Sequence, residues 1–480
     1  MRRFFVQNVF FLILINLIVK PLWIFAIDRN VQNAVGHEIY GQYGALFNFT
    51  VIFQVLLDFG LQSYNSRTVA QSPRTLQSML PNIMVAKLML SVAYLLLVMG
   101  LGLVMGYRGQ VLLLLFLLGI VQVLTSFLLY LRSNVSALHK FKTDSLLSVA
   151  DRFFMIGICS LLLFHPYFSG RFRIEWFVYA QIAAYLTTSV IALVICTRLS
   201  PISWRHYDLR KVWAICKKSG PYALLIFLMA IYLRADMAII ERLLPDGKYQ
   251  AGVYAAAYRF LDVANNITGV LFAGMLLPIF GRMLAQQEPV QPLLRLTVNL
   301  LLPVAITAVV AAFLLGPAIM KANYHEATDY DGQVFALLML AYPGFCIGYI
   351  YSTLLVANGN IRLLTINSVI AVVINLGMNF ALIPRYGAWA AALSCCVTQL
   401  FLSLINIGCA RRLMQLPRNY KWLGQYLLFT VLVVAAGMGV MRLQAHLLLQ
   451  LLLIAAGGGL AMLLCGFVPF KKIAEMLVKR

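Results

Sequence analysis

Fourteen apolar runs, each long enough to cross a hydrocarbon core of about 30 Å, follow one another with only short polar connections between them. The first half holds 5–27, 40–65, 82–106, 110–131, 145–168 and 174–199. The second half holds 220–243, 250–280, 294–318, 332–357, 361–383 and 387–410, and 422–441 and 446–468 close the chain. Inside a bilayer no water satisfies backbone N–H and C=O groups, so such a chain is restricted to helices or a closed barrel. Barrel strands are shorter and alternate apolar with polar residues. These runs are continuous, which predicts an all-α polytopic membrane protein of about 14 transmembrane helices. Composition excludes the soluble alternative: 62% of residues are hydrophobic and 11% charged, against about 25% charged in soluble domains. The first run follows Met1-Arg2-Arg3 but is too long for a signal peptide, and Ile27-Asp28-Arg29 follows it instead of a small-residue cleavage site. It is expected to be a retained helix, and the even count places both termini on one side.

The net charge of +22 would suggest nucleic acid on a soluble protein. Here the cations fall in connections, and no nucleic-acid partner is expected. With the N-terminus placed inside, 26 Lys and Arg, Lys87 and Arg152 among them, lie on the cytoplasmic side and 9 outside. That bias orients both termini toward the cytoplasm, where anionic headgroups attract the basic residues. Lys20, Arg234 and Arg259 are assigned to the membrane interior. The eight cysteines and six histidines make no metal-ligand spacing. The connection 200–219, with Trp204 and Trp213, reads as an amphipathic surface segment or a linker. No connection offers room for a soluble catalytic domain.

The chain carries an internal repeat. Tyr40-Gly41-Gln42-Tyr43-Gly44-Ala45-Leu46-Phe47-Asn48-Phe49 aligns with Ala251-Gly252-Val253-Tyr254-Ala255-Ala256-Ala257-Tyr258-Arg259-Phe260 at an offset of 211. Ala137-Leu138-His139-Lys140-Phe141-Lys142 aligns with Ala357-Asn358-Gly359-Asn360-Ile361-Arg362 at 220, and Ser148 with Ser368. Six runs separate each pair, so the repeat is parallel. The expected organisation is an N-terminal six-helix lobe over 1–199, an inter-lobe linker over 200–219, a second six-helix lobe over 220–414, and two additional helices with a tail over 415–480. Parallel repeats of this kind are a common plan of secondary transporters, with a substrate site between lobes and alternating access by rocking.

With these residues in hand, the chain resembles the multidrug/oligosaccharidyl-lipid/polysaccharide flippase superfamily, and within it the polysaccharide biosynthesis flippases of the O-antigen type. Gly36-His37-Glu38-Ile39-Tyr40-Gly41-Gln42-Tyr43 is similar to that branch's Gly-x-x-x-x-Gly-x-Tyr turn, and Asp58-Phe59-Gly60-Leu61 followed by Arg67 to its second-helix ending. It departs at the head of the sixth helix. Tyr179-Ala180-Gln181 stands there, whereas the twelfth has the glycine-bearing Tyr386-Gly387-Ala388-Trp389-Ala390-Ala391. The resemblance implies that the first, second, seventh and eighth helices line a central cavity, and that the protein sits in a bacterial cytoplasmic (inner) membrane and serves lipopolysaccharide or other surface polysaccharide synthesis.

A charge in the membrane interior costs about 2.5–3.5 kcal/mol on insertion scales and calls for a partner or a cavity. Six such residues stand out: Lys20, Asp58, Arg234, Asp236, Arg259 and Asp262. Arg234, Arg259 and Lys20 are candidates for binding a pyrophosphate, because guanidinium forks match phosphate oxygens and Lys adds a point charge. Lys20 precedes Pro21, which can kink the helix. The structural alternative for Arg259 is pairing with Asp262, three residues on. Asp58, Asp236 and Asp262 are candidates for ion coupling or for pairing with the cations. Asp58 has no cation three or four residues away, and its structural alternatives are backbone capping or pairing with Arg67. The intramembrane Asn16, Asn48, Gln54, Asn265, Asn266, Asn375 and Asn379 read first as interhelical hydrogen-bonding groups.

The function these features favour is a flippase that moves a polyprenyl-pyrophosphate-linked oligosaccharide outward. It needs no cofactor and draws on a proton or sodium gradient. Its partners are the lipid-linked oligosaccharide, membrane lipids, and a glycan polymerase or glycosyltransferases of the same pathway. The alternative within the transport class is a multidrug or cation antiporter, whose site should be net acidic; here three basic and three acidic residues stand in the membrane interior, with the basic ones toward the outer side. A membrane-embedded polymerase or glycosyltransferase would need a substantial outer loop.

Overall fold

A computed structural model describes residues 18–19, 21–72, 75–138, 140–199, 209–269, 274–417, 420–443 and 445–467. Among the described residues there is no strand. A π-helical turn, Trp23–Asp28, leads into α1 (Arg29–Ile52). A 3-10 segment, Phe53–Leu57, then separates α1 from α2 (Leu61–Gln71). There follow α3 (Leu76–Val104), α4 (Gly109–Ala137), α5 (Phe141–Phe164) and α6 (Ile174–Leu199). Beyond them come α7 (Leu209–Leu243), α8 (Gly247–Thr268), α9 (Gly274–Ala285) and α10 (Gln291–Asn323). The series ends with α11 (Asp329–Leu340), α12 (Tyr342–Ala357), α13 (Ile361–Met414), α14 (Tyr420–Met441) and α15 (Leu447–Leu464).

These helices correspond to the apolar runs from the second to the fourteenth. Ten described helices are long and apolar enough to cross a membrane, and Ile361–Met414 accounts for two runs by bending at Gly387. The helices of the second and eighth runs are not among the ten. Their polar faces are instead buried in protein: Tyr40, Tyr43 and Asn48 on α1, and Tyr254 and Tyr258 on α8, are each no more than 5% exposed.

Two glycines turn the chain without a loop. Gly36 (φ 81°, ψ 168°) breaks α1. The stretch 28–39, expected as an outer connection, is therefore helical on both sides of one residue, and Asp28 is buried within it. Gly387 (φ 59°, ψ −139°) does the same in α13. Side chains with a Cβ rarely adopt either conformation. Breaking a helix frees backbone groups, and Tyr330 answers two of them. Its hydroxyl accepts from the Trp389 N–H at 3.1 Å and donates to the Tyr386 carbonyl at 3.1 Å. The sixth helix head, which lacks this glycine, is held by Gln181, whose amide donates to the Tyr43 hydroxyl at 2.8 Å.

By packing, the chain falls into two compact units, Met1–Ala255 and Ala256–Arg480. In the first, α4 packs on α6 and α1 on α7. In the second, α10 packs on α11, and the Gly316 and Gly332 backbones approach so closely that a β-carbon at Gly332 would overlap Pro317. The last two helices dock on α10 through Val310, Phe429, Val433 and Phe467, with the Tyr426 and Phe467 rings stacked at 4.6 Å. Helix α7 begins at Leu209, inside the 200–219 connection.

The run 40–65 is also broken, at Asp58-Phe59-Gly60, where Phe59 (φ 42°) and Gly60 (φ 81°) take left-handed backbone. The break is stabilised by a residue counted above among the cytoplasmic cations. Lys87 on α3 is 1% exposed, and its Nζ donates to the Leu57 carbonyl (2.8 Å), Ser126 Oγ (2.7 Å) and Asp58 Oδ1 (3.2 Å). Removing one partner of a buried pair leaves the other uncompensated. Lys87→Met is expected to cost about 3 kcal/mol, and Lys87→Met with Asp58→Asn to recover more than half of it. The thermal unfolding midpoint of the purified protein checks this.

Candidate functional site

In the first unit, α1 meets α7 and the start of α8 along a seam that begins with backbone contact. A β-carbon on Gly41 would overlap the Lys248 carbonyl oxygen and the Gly252 amide, and one on Gly252 would overlap the His37 carbonyl. Gly41 and Gly252 are the matched glycines of the repeat, so the two copies touch at equivalent positions. Around them Gln32 Nε2 donates to the Gly252 carbonyl at 3.0 Å, and the His37 and Tyr249 rings stack at 5.6 Å.

Farther along, Asn48 Nδ2 donates to the Gly44 carbonyl (2.8 Å) and lies 2.9 Å from Met237 Sδ. Asn48 Oδ1 accepts from Arg234 Nη1 at 3.5 Å. Asn48 is the repeat counterpart of Arg259. Where one copy carries a cation, the other carries the amide that receives a cation from α7. At the end of α7, Tyr107 donates to Glu241 Oε2 at 2.9 Å, and the Arg242 guanidinium covers the Tyr107 ring at 3.7 Å. Burial, and then the Glu241 carboxylate, push the Tyr107 phenol above its usual range, so it stays a donor at any physiological pH.

The carboxylates are placed as follows. Asp236 is 2% exposed and accepts a 2.6 Å hydrogen bond from the Tyr254 hydroxyl. The other copy builds the same contact from other positions: Tyr40 donates to Asp28 Oδ1 at 2.7 Å. A buried carboxylate that accepts such a bond stays satisfied without water. Asp58 pairs with Lys87 at 3.2 Å. In the second unit Arg259 Nη1 lies 3.7 Å from Asp262 Oδ2, one helical turn away. Lys20 and the side chain of Arg67 lie outside the described residues, as does Asn16.

Several polar residues were not legible as part of a site. Asp28 sits in an expected loop, and Arg152 counts among the cytoplasmic cations. Arg152 is instead in mid-α5, over the Trp23 ring at 5.5 Å and the Tyr185 ring at 6.0 Å, and 3.6 Å from Asp151. The Asp28 charge lies within Coulombic reach of it. The signal available in the sequence was that Asp151-Arg152 interrupts an apolar run. Of the expected interhelical amides, Asn48 reaches α7, whereas Asn266 donates to the Asp262 carbonyl at 2.8 Å and Asn379 to Asn375 at 3.3 Å within their own helices. Amides outside that set also pair: Asn65 donates to Asn134 at 2.6 Å, and Asn367 to Asn406 at 2.9 Å across the bend of α13.

The arrangement is one of paired charges and close-packed backbones inside apolar helices. Residues 5–284 match the family model described as polysaccharide biosynthesis protein, and the chain belongs to that family. No curated protein sequence matches it. Among solved structures it is similar to the lipid II flippase MurJ in an inward closed conformation (TM-score 0.72, 14% identity, covering 98% of this chain and 99% of that one). It is also similar to an inward-facing multidrug resistance MATE family transporter of the MOP superfamily (TM-score 0.64, 14% identity, 82% and 94%). A third is a MOP superfamily transporter from Pyrococcus furiosus, described as having a binding pocket of reverse polarity (TM-score 0.60, 14% identity, 85% and 95%). These likenesses establish the fold of a multi-pass membrane protein.

The seam yields a direct test. Cysteines introduced by His37→Cys and Tyr249→Cys are expected to cross-link under mild oxidation. Adding Gly41→Val is expected to abolish the cross-link, because the backbones can no longer meet. The shift of the intact and protease-nicked protein on non-reducing gels reads the outcome.

Proposed function

We propose that the chain is a flippase carrying a polyprenyl-pyrophosphate-linked oligosaccharide from the cytoplasmic to the outer leaflet of a bacterial inner membrane, for surface polysaccharide such as O-antigen. Membership of the polysaccharide biosynthesis family supports the pathway. The observation that carries the reading is Arg234, a guanidinium on an apolar spanning helix whose Nη1 donates to Asn48 Oδ1 at the seam. A guanidinium at that depth offers a fork of donors that matches phosphate oxygens. Arg259 is the second cation proposed to meet the anionic headgroup, and Lys20 the third. Asp236 and Asp262 act as charge partners of the cations, Asp262 beside Arg259 on the same helix and Asp236 also joining α7 to α8 through Tyr254.

In this reading the seam of Gly41 and Gly252 is the outer gate, closed in the present conformation. Its parts suit a gate. Backbone contact between small residues can separate without burying a cavity, and the Tyr107, Glu241 and Arg242 cluster at the seam's end can be rehydrated. Both termini face the cytoplasm, and no catalytic chemistry is required.

Arg234→Ala and Arg259→Ala are each expected to abolish surface glycan while the protein remains at its normal level in the membrane. Glycan staining of whole cells beside an immunoblot measures both, and normal glycan in the two variants would remove the anionic-headgroup reading. Asp58 is proposed as the coupling carboxylate, since it is 31% exposed while its partner Lys87 is buried. Asp58→Asn is expected to slow transport and alter its dependence on a proton or sodium gradient, measured with ionophores that collapse each gradient separately. Unchanged gradient dependence would place coupling elsewhere.

A further inference from the structure

A groove of about 550 Å³ opens between α2, α4 and α5, away from the seam, and is lined by Gln62, Ser66, Leu129, Arg132, Ser136 and Asp144 among others. Arg132 Nε donates to Asp144 Oδ1 at 3.0 Å. That bond fixes the guanidinium plane and leaves its two terminal amino groups without a hydrogen-bond partner among the described residues. The Gln62 amide and the Ser66 and Ser136 hydroxyls also have no side-chain partner among the described residues, and all are part-buried. Four donor-bearing side chains thus converge on one groove with their hydrogen-bonding capacity unspent. Half-buried donors that no protein group answers are free to serve an occupant of the groove.

Depth and charge identify the occupant's chemistry. Helix α4 has 29 residues, which at about 1.5 Å per residue makes it longer than the hydrocarbon core, so its last turns reach the headgroup layer. Arg132 lies there, five residues before the helix end. The turn that follows carries Lys140 and the start of α5 carries Lys142, so the surroundings are basic although Asp144 neutralises one cation. One wall is Leu129, 38% exposed, which leaves an apolar path from the groove to the acyl region. Hydroxyl, amide and guanidinium donors under a basic rim, open sideways to lipid, match a phosphate carried on a hydrophobic tail. Basic pockets between helices on the cytoplasmic side take lipid headgroups for this reason.

The repeat shows that this groove is not scaffold. At the repeat offsets, Gln62 and Ser66 correspond to Ala273 and Leu277, and Arg132, Ser136 and Asp144 to Ser352, Val356 and Leu364. The second copy keeps the turn but none of the ionic or amide groups. We propose that this groove is a binding site for the phosphate headgroup of a membrane lipid. The site holds the lipid at the basic end of the first six helices. A polyprenyl phosphate and an anionic phospholipid present the same phosphate on a lipid tail, and the site accepts that shared chemistry. The proposal does not depend on the transport reading.

The test uses the full-length chain reconstituted in vesicles, with a thiol introduced by Ser136→Cys and labelled by an uncharged maleimide. Ser72→Cys, on the exposed end beyond α2, is the reference for general surface effects. Vesicles are phosphatidylcholine alone, phosphatidylcholine with phosphatidylglycerol, or phosphatidylcholine with undecaprenyl phosphate. Relative to the reference, labelling at position 136 is expected to slow by about fivefold, the effect of one basic side chain at an anionic surface, in one or both phosphate-bearing mixtures. Phosphatidylglycerol as the protecting lipid identifies a phospholipid site; undecaprenyl phosphate identifies a carrier-lipid site. Arg132→Gln with Asp144→Asn should remove the protection, and Arg132→Lys should keep part of it. Equal rates in all three vesicles, or protection that survives loss of Arg132, overturns the proposal. Neither Arg234 nor Arg259 enters this assay, so failure of the glycan test leaves its result intact.

Discussion

The contact on which the first unit depends is backbone against backbone. Gly41 and Gly252 let α1 and α8 approach until neither can bear a β-carbon. In a bilayer, apolar side chains gain little by leaving lipid for protein, so helix association rests on close packing and hydrogen bonds. The two glycines provide the first and bring the second into range. Only at that separation can Gln32 reach the Gly252 carbonyl, His37 lie against Tyr249, and Asn48 touch both Met237 and Arg234. Because equivalent glycines of the two copies meet, the internal duplication is also the contact surface.

The second constraint is the handling of charge. The chain carries ionised groups at depths where each is costly, and each described one has a neighbour that answers it. Carboxylates are met by tyrosine hydroxyls in both copies, Asp28 by Tyr40 and Asp236 by Tyr254. Lys87 is met by a carbonyl freed where the second run breaks. In that place the lysine does the work that a solvated helix end would leave to water, and Asp58 offsets its charge. Removing such a lysine therefore exposes a backbone defect as well as an unpaired acid.

Duplication supplies the frame, and departures from it mark what was added. Asn48 and Arg259 occupy equivalent places with opposite hydrogen-bonding character. The ionic and amide side chains that line the Arg132 groove have apolar or hydroxyl counterparts in the second copy. The head of the sixth helix replaces a glycine turn with Gln181 bonded to Tyr43. A polysaccharide biosynthesis protein with the fold shared by MurJ and MATE transporters thus carries a sequence repeat whose two copies differ in chemistry at matched positions.

The sequence by itself determined the class, the helix count and the repeat. Hydrophobic run length is a local property, and a bilayer admits few alternatives to a helix. It also marked Gly41, Gly252, Gly36 and Gly387, since glycine in a conspicuous register points to close approach or an unusual turn. It did not determine partners. Lys87 and Asp58 are 29 residues apart and Asn48 and Arg234 186, and no spacing rule connects them. Local reading counted Lys87 and Arg152 with the cytoplasmic-side cations, and only the packing of α3 and α5 showed what surrounds them. The tertiary structure decided which charges meet, because a buried charge is satisfied by whatever group the packing brings within about 3 Å, and packing joins residues that the chain keeps far apart.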